Sequence, residues 1–245
     1  MKRQILLTLG FFTMFCSVVL AGGPIRVLII TGGHDFEREP FFEMFKGEKD
    51  ITYREVQHPN ATKMFRADER SSYDVIVLYD MWETIPDEDG EAALDLLNAG
   101  KGVVALHHCI ASYSDYPDYE RVIGGKFFIK ETKEGDKTIP ASTYQHDQKL
   151  NVHICDLDHP ITKGMKDFII QDEVYGGFRV LEGVHRLLET DHPLSGKTIG
   201  WCHTYGPSRI VYIQLGHDHL AYNNPNYRQL VRQAIRWAAG RLGGE

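Results

Sequence analysis

Three runs of aliphatic and β-branched residues constrain this chain more than anything else in it. They are "IRVLIIT" at residues 25–31, "YDVIVLYD" at 73–80 and "GVVALH" at 102–107. None alternates between apolar and polar, so each reads as a strand covered on both faces. Each also stops at an abrupt change of chemistry: Gly32-Gly33-His34 after the first, Asp80 at the end of the second, His107-His108 at the end of the third. Between them lie helical segments. One is expected around 40–46. A second strand, "ITYREV", follows at 51–56. Pro86-Asp87-Glu88-Asp89 then opens a helix with acidic residues that complement its N-terminal dipole, and Gly100 stops it. Strand alternating with helix at this spacing predicts a parallel doubly wound sheet. Ligands bind such sheets beyond the carboxyl ends of the strands, near the point where strand order reverses.

The second half is less regular. Residues 151–156, 197–203 and 209–216 read as strands, and "HPIT" at 159–162 as a turn. The strand at 209–216 runs into His217-Asp218-His219. It delivers these residues to the ligand edge if it lies parallel to the first three strands. Pro225 opens an amphipathic helix ended by Gly240. There is no repeat, linker or low-complexity segment, which suits a single domain over residues 22–245.

Residues 1–21 are expected to be a secretory signal peptide. Lys2 and Arg3 form the basic start, an apolar run follows, and Val19-Leu20-Ala21 supplies small residues before the cut. The run is shorter than the roughly 20 residues a spanning helix needs, so no membrane span remains after cleavage. The expected location is secreted or periplasmic. The chain carries 27 basic and 34 acidic residues, a net charge of −7, and no basic block, which argues against nucleic acid as a partner. Beyond the leader only Cys109, Cys155 and Cys202 remain, too few for a disulfide framework.

Several residues can carry chemistry. His107 and His108, successive on a strand, are expected to point to opposite faces. His34, His107 and His217 with Glu173 would make a reasonable set for a divalent metal such as zinc, although no HExxH or paired CxxC motif is present. Cys109 lacks the flanking glycines of a nucleophile elbow and reads as a buried thiol. "TGGHDF" is not GxGxxG; it reads as a tight turn that can also offer backbone N–H groups to a ligand. "QDEVYGGF" contributes Asp172, Glu173 and Tyr175, a carboxylate and a phenol able to act as base and donor, or simply a solvated turn.

The combination of "GKGVVALHHCIASY", "DHPITKGMKDFIIQDEVY" and "WCHTYGPSRIVYIQLGHDHLAYNNPNYRQLVRQAIRWAAGR" resembles the ThuA-like family, named for trehalose utilisation, over residues 25–241. The resemblance implies an α/β fold, flavodoxin-like and related to the class I glutamine amidotransferases, with a mostly parallel sheet and helices on both faces. It implies carbohydrate catabolism on 3-keto sugars or 3-keto glycosides, where the ketone acidifies the neighbouring C2 proton. Proton removal there leads to isomerisation or glycosidic cleavage, and needs a base together with stabilisation of the developing oxyanion. The matching positions are His34 and Asp35, His107, Glu173 and Tyr175, His203, and His217 with Asp218. Of these, His107, Glu173 and His217 are the expected catalytic residues. His34, Asp35, Tyr175, His203 and Asp218 are expected to bind substrate. Metal, if held, falls to His34, His107 and His217. "YGPSR" departs from the family's usual "YGxGR", and the amidotransferase cysteine–histidine pair is not evident, so glutaminase activity does not follow from the fold. The expected partner is a small carbohydrate, with room for a homo-oligomer. The competing readings are a non-catalytic carbohydrate binder, with Tyr113, Tyr116 and Tyr119 stacking on sugar faces, and a metal-dependent hydrolase of another substrate class.

Overall fold

A computed structural model describes residues 23–242; the expected signal peptide lies outside the described residues. The first half alternates strand and helix: β1 (Ile25–Gly32), α1 (Arg38–Glu43), β2 (Ile51–Gln57), β3 (Val75–Asp80), α2 (Asp87–Asn98), β4 (Gly102–Leu106) and α3 (Pro117–Ile123). Three short strands follow, β5 (Gly125–Lys126), β6 (Thr132–Glu134) and β7 (Lys137–Ile139). Then come β8 (Thr143–Ile154), β9 (Phe168–Gly176), β10 (Arg179–Val180), β11 (His185–Thr190), β12 (Thr198–Tyr205) and β13 (Ser208–Ile213). Two helices close the chain, α4 (His219–Tyr222) and α5 (Pro225–Ala238).

Nine strands form one sheet in the order β2-β1-β3-β4-β13-β12-β11-β8-β9. The first five are mutually parallel, and β13 lies parallel to β4, the condition under which its end shares their edge. Their order is that of a flavodoxin-like sheet, which reverses between β1 and β3. The expectation of a mostly parallel sheet holds for this half only. From β13 outward every ladder is antiparallel, so the sheet is mixed. The physical reason is visible in β8, whose outer half is exposed residue after residue. A strand that faces water is not confined between two helical layers, and it can be added by antiparallel pairing.

Alternate residues of the parallel strands feed two cores. Val27, Ile29, Val75, Val77, Val104 and Leu106 pack with Phe41 and Met44 from the α1 side and with Leu230, Val231 and Ala234 of α5. Leu28, Ile30, Ile76, Leu78, Val103 and Ala105 pack with Leu96 and Leu97 of α2 and Val122 and Ile123 of α3. This is why the three runs are almost wholly apolar between their ends: each of these residues has a helix above or below it, whereas Arg26, at the start of β1, is exposed and pairs with Asp74.

The antiparallel extension also sets which ends share an edge. Direction reverses at β12, β11, β8 and β9 in turn, so β9 points the same way as β1. Its carboxyl end, with Glu173 and Tyr175, therefore meets the edge where β1, β3, β4 and β13 finish. Among the described residues no helix is long and apolar enough to cross a membrane.

Candidate functional site

β4 ends at Leu106, one residue before the histidine pair. His107 opens a 3₁₀ turn, His107–Ala111, with φ of 54°, a left-handed conformation that costs a non-glycine residue about 1–2 kcal/mol. Two contacts hold it there. His107 Nδ1–H donates to the Gln214 carbonyl (2.8 Å), and Tyr212 Oη–H donates to the His107 carbonyl (2.9 Å). The expectation that His107 and His108 point to opposite faces fails for this reason. Off the strand, alternation no longer applies, and both buried rings turn toward the same edge with centroids 5.2 Å apart.

Glu173 is the hub. Its Oε2 lies 3.0 Å from His107 Nε2 and 3.4 Å from His217 Nδ1, and its Oε1 lies 2.8 Å from His146 Nε2. Tyr175 places its hydroxyl 3.0 Å from His107 Nε2. Burial opposes ionisation of Glu173, but the adjacent His107 and His217 imidazoles outweigh it and hold the carboxyl well below the usual range. In return Glu173 raises the pKa of His217. Burial pushes His108 well below the ordinary histidine value, so that ring is neutral at physiological pH, and among the described residues neither of its nitrogens makes a hydrogen bond.

His217 is positioned from behind by Asp172, the neighbour of Glu173 on β9. The buried Asp172 carboxylate accepts from the backbone N–H groups of Gly216 (2.7 Å), His217 (2.9 Å) and Glu173 (2.8 Å). Gly216 has φ of +122°, and a Cβ there would lie 2.2 Å from the Tyr227 hydroxyl, so the turn after β13 requires glycine.

Glu173, Tyr175, His146 and His108 open onto a cavity of about 390 Å³, while His107 and His217 reach it only through their contacts with Glu173. Its lining includes His34, His108, Glu173, His146, Phe127 and Tyr144. His34 and Met81 bring the turns after β1 and β3 into its wall, so the cavity sits at the reversal point of strand order. His34 stacks on His108 with centroids 4.5 Å apart. The expected residues His34, His107, Glu173, Tyr175 and His217 are thus brought together.

Three expectations meet a different geometry. Asp35 lines an adjoining cleft with Gln57 and Arg38 rather than the main cavity. Asp218 caps α4, its carboxylate accepting from Leu220 N–H (2.8 Å). His203 lies at the opposite edge of the sheet, because β12 runs antiparallel to β13 and carries its carboxyl end away; its Nε2–H donates to the Val122 carbonyl (2.9 Å). The candidate metal set also changes. Among the described residues, His107, Glu173 and His217 offer ligand atoms all within 4.8 Å of one another, and His34 is not among them. Tyr113 (3 % exposed) and Tyr119 are packed in the core and present no face to a sugar, whereas Tyr144, 63 % exposed, stands at the cavity. Among the described residues Cys109, Cys155 and Cys202 form no disulfide.

His146 was not singled out by the sequence. It sits in the polar half of β8, indistinguishable by pattern from a solvated strand. A bulge aims it: the β8–β9 register slips between Gln145 and Gln148, and Asp147 takes φ of 58°. Bulges of this kind re-aim side chains beside functional sites.

The fold matches known structures at low identity. A ThuA-like protein from Parabacteroides merdae superposes with a TM-score of 0.74 at 20% identity, covering 91% of this chain and 92% of that one. A ThuA-like protein from Bacteroides uniformis gives 0.65 at 19%, covering 89% and 93%. A β-galactosidase from Bacillus circulans gives 0.57 at 10%, with 88% of this chain matching 31% of that enzyme. No curated protein gives a significant match. The ThuA profile, described as trehalose utilisation, matches residues 26–238, nearly the whole of the described chain. The chain belongs to the ThuA family.

Proposed function

We propose that this protein is a secreted or periplasmic enzyme of carbohydrate catabolism that removes the proton beside the ketone of a 3-keto sugar or 3-keto glycoside. The observation that carries this reading is the convergence of three imidazoles on one buried carboxylate, at the wall of a cavity whose mouth holds an exposed tyrosine. The reaction asks for two things at once, a base and compensation for charge growing on the ketone oxygen. His146 supplies the base. With a proton on Nε2 facing Glu173, its Nδ1 keeps the lone pair, in the manner of an imidazole oriented by a carboxylate. His217, whose affinity for a proton Glu173 raises, and the Tyr175 hydroxyl supply positive charge and a donor for the oxyanion. Neutral His108 and the stacked His34 offer hydrogen bonds to sugar hydroxyls. The C2 proton moves to His146 and the bonding pair flows to the ketone oxygen as an enediolate. Reprotonation gives an isomer; alternatively the same electrons expel the C1 substituent, which leaves with a proton.

Incubation with 3-keto glycosides and their unoxidised parents in deuterated water, followed by product NMR, tests this. Deuterium at C2 is expected with the keto forms alone, and H146A is expected to slow its incorporation by about 10²–10⁴-fold. Absence of exchange and of products with every keto glycoside tried would overturn the reading.

A further inference from the structure

We propose that His107 Nε2, Glu173 Oε2 and His217 Nδ1 form a binding site for one divalent first-row transition-metal ion. Bonds of about 2.0–2.1 Å in tetrahedral arrangement put neighbouring donor atoms about 3.3–3.4 Å apart. The carboxylate oxygen lies 3.0 Å and 3.4 Å from the two imidazole nitrogens, close to that spacing.

Hydrogen bonding alone leaves this cluster unfinished. Among the described residues His217 Nδ1, shielded from solvent, makes no hydrogen bond; it stands 3.4 Å from Glu173 Oε2 without the alignment of an N–H···O bond. A buried ring nitrogen 3.4 Å from a carboxylate oxygen and without a hydrogen bond is a donor that a metal ion would satisfy. His107 is already oriented as a ligand. Its Nδ1–H is fixed on the Gln214 carbonyl, which leaves the Nε2 lone pair facing Glu173 and His217, the arrangement that metal-bound histidines almost always show. His217 is fixed through its backbone by Asp172. Metal in place at His107 Nε2 frees the Tyr175 hydroxyl to donate to whatever occupies the ion's remaining position.

Two imidazoles and one carboxylate favour zinc and its first-row neighbours over calcium or magnesium, which prefer oxygen donors. Of the three ligand residues Glu173 lines the cavity, so water or a substrate oxygen would reach the ion from that side. A ketone oxygen bound there would be polarised by the ion, which takes over the part of His217's positive charge. Glu173 Oε1 continues to orient His146, so ion and base use opposite oxygens of one carboxylate. The inference rests on the site described above and not on the identity of the sugar.

Titration of EDTA-treated protein with Zn²⁺ by calorimetry, and with Co²⁺ by visible absorption, tests it without reference to activity. One equivalent is expected, with a Co²⁺ d–d spectrum of a four- or five-coordinate site. H217A and E173Q, checked for folding by circular dichroism, are expected to weaken binding by at least about tenfold. H153A, at an exposed histidine paired with Asp167 elsewhere on the surface, is expected to bind as the unmodified protein does. No stoichiometric binding by the unmodified protein, or unchanged affinity in folded H217A and E173Q, would overturn the site. Metal binding without keto-sugar turnover would leave the site standing and remove only the proposed substrate.

Discussion

Asp172 shows how one residue can govern the site without entering it. Its carboxylate is fully enclosed, and burial raises its pKa despite the nearby His107 and the three N–H groups that favour its charge. Asparagine keeps its shape but replaces one oxygen with an NH₂ group that faces backbone donors. An orphaned buried donor costs about 1–3 kcal/mol. D172N is therefore expected to lower the urea midpoint by that equivalent and to slow turnover by loosening His217, although Asp172 touches no substrate. A variant with unchanged stability and unchanged rate would show that the turn at Gly216-His217 is held by other means. At this scale the sequence was informative wherever a residue stood at a change of pattern. Gly32-Gly33-His34, His107 and His217 each interrupt an apolar run. Asp172 and His146 interrupt nothing, and only register and a bulge give them their roles.

Among the elements, α2 was legible for an equally local reason. Pro86 and the acidic residues after it mark its first turn, and Gly100, at φ of +86°, ends the segment. One of those acids does more than complement a dipole. Asp89 is buried, which works against its ionisation, but the Thr62 hydroxyl (2.6 Å) and the Arg66 guanidinium (2.8 Å) outweigh this and hold its carboxyl below the ordinary value. The folded chain thus binds this proton less readily than the unfolded one. The stabilisation is complete above the unfolded pKa, about 3.9, and disappears as pH falls through the lower folded value. The stability gap between the unmodified protein and D89N should be constant near neutrality and shrink below about pH 4. Urea midpoints across pH 2–7 measure it, and a gap independent of pH would mean the Asp89 charge contributes nothing to joining α2 to the Ala61–Phe65 turn. β12 is read from the sequence as a strand, but not its direction, because a strand's identity is written in its side chains while its direction is set by its partner. "TIGWCHTY" reads the same in either orientation.

That ambiguity of direction decides which residues of the sheet share an edge. The parallel half and the returning β9 finish on the edge that holds His107, Glu173 and His217, whereas β12 carries His203 to the other. His203 is half-buried with its Nε2–H on the Val122 carbonyl, beside Gly124, whose added Cβ would lie 3.2 Å from the same nitrogen. Burial lowers its pKa, so it is neutral and serves as packing and a hydrogen-bond donor to the end of α3. Its removal should act on stability alone. H203A loses one hydrogen bond, about 1 kcal/mol, which for a domain of this size lowers Tm by about 2–4 °C. With the edge of the proposed site untouched, turnover and metal affinity should stay within about twofold of the unmodified protein, the spread expected of a substitution remote from a site. H217A should do the opposite, with a small change in Tm and a large loss of metal affinity and rate. A collapse of turnover in folded H203A would mean that the two edges are coupled through the sheet, and that the direction of β12 does not separate them.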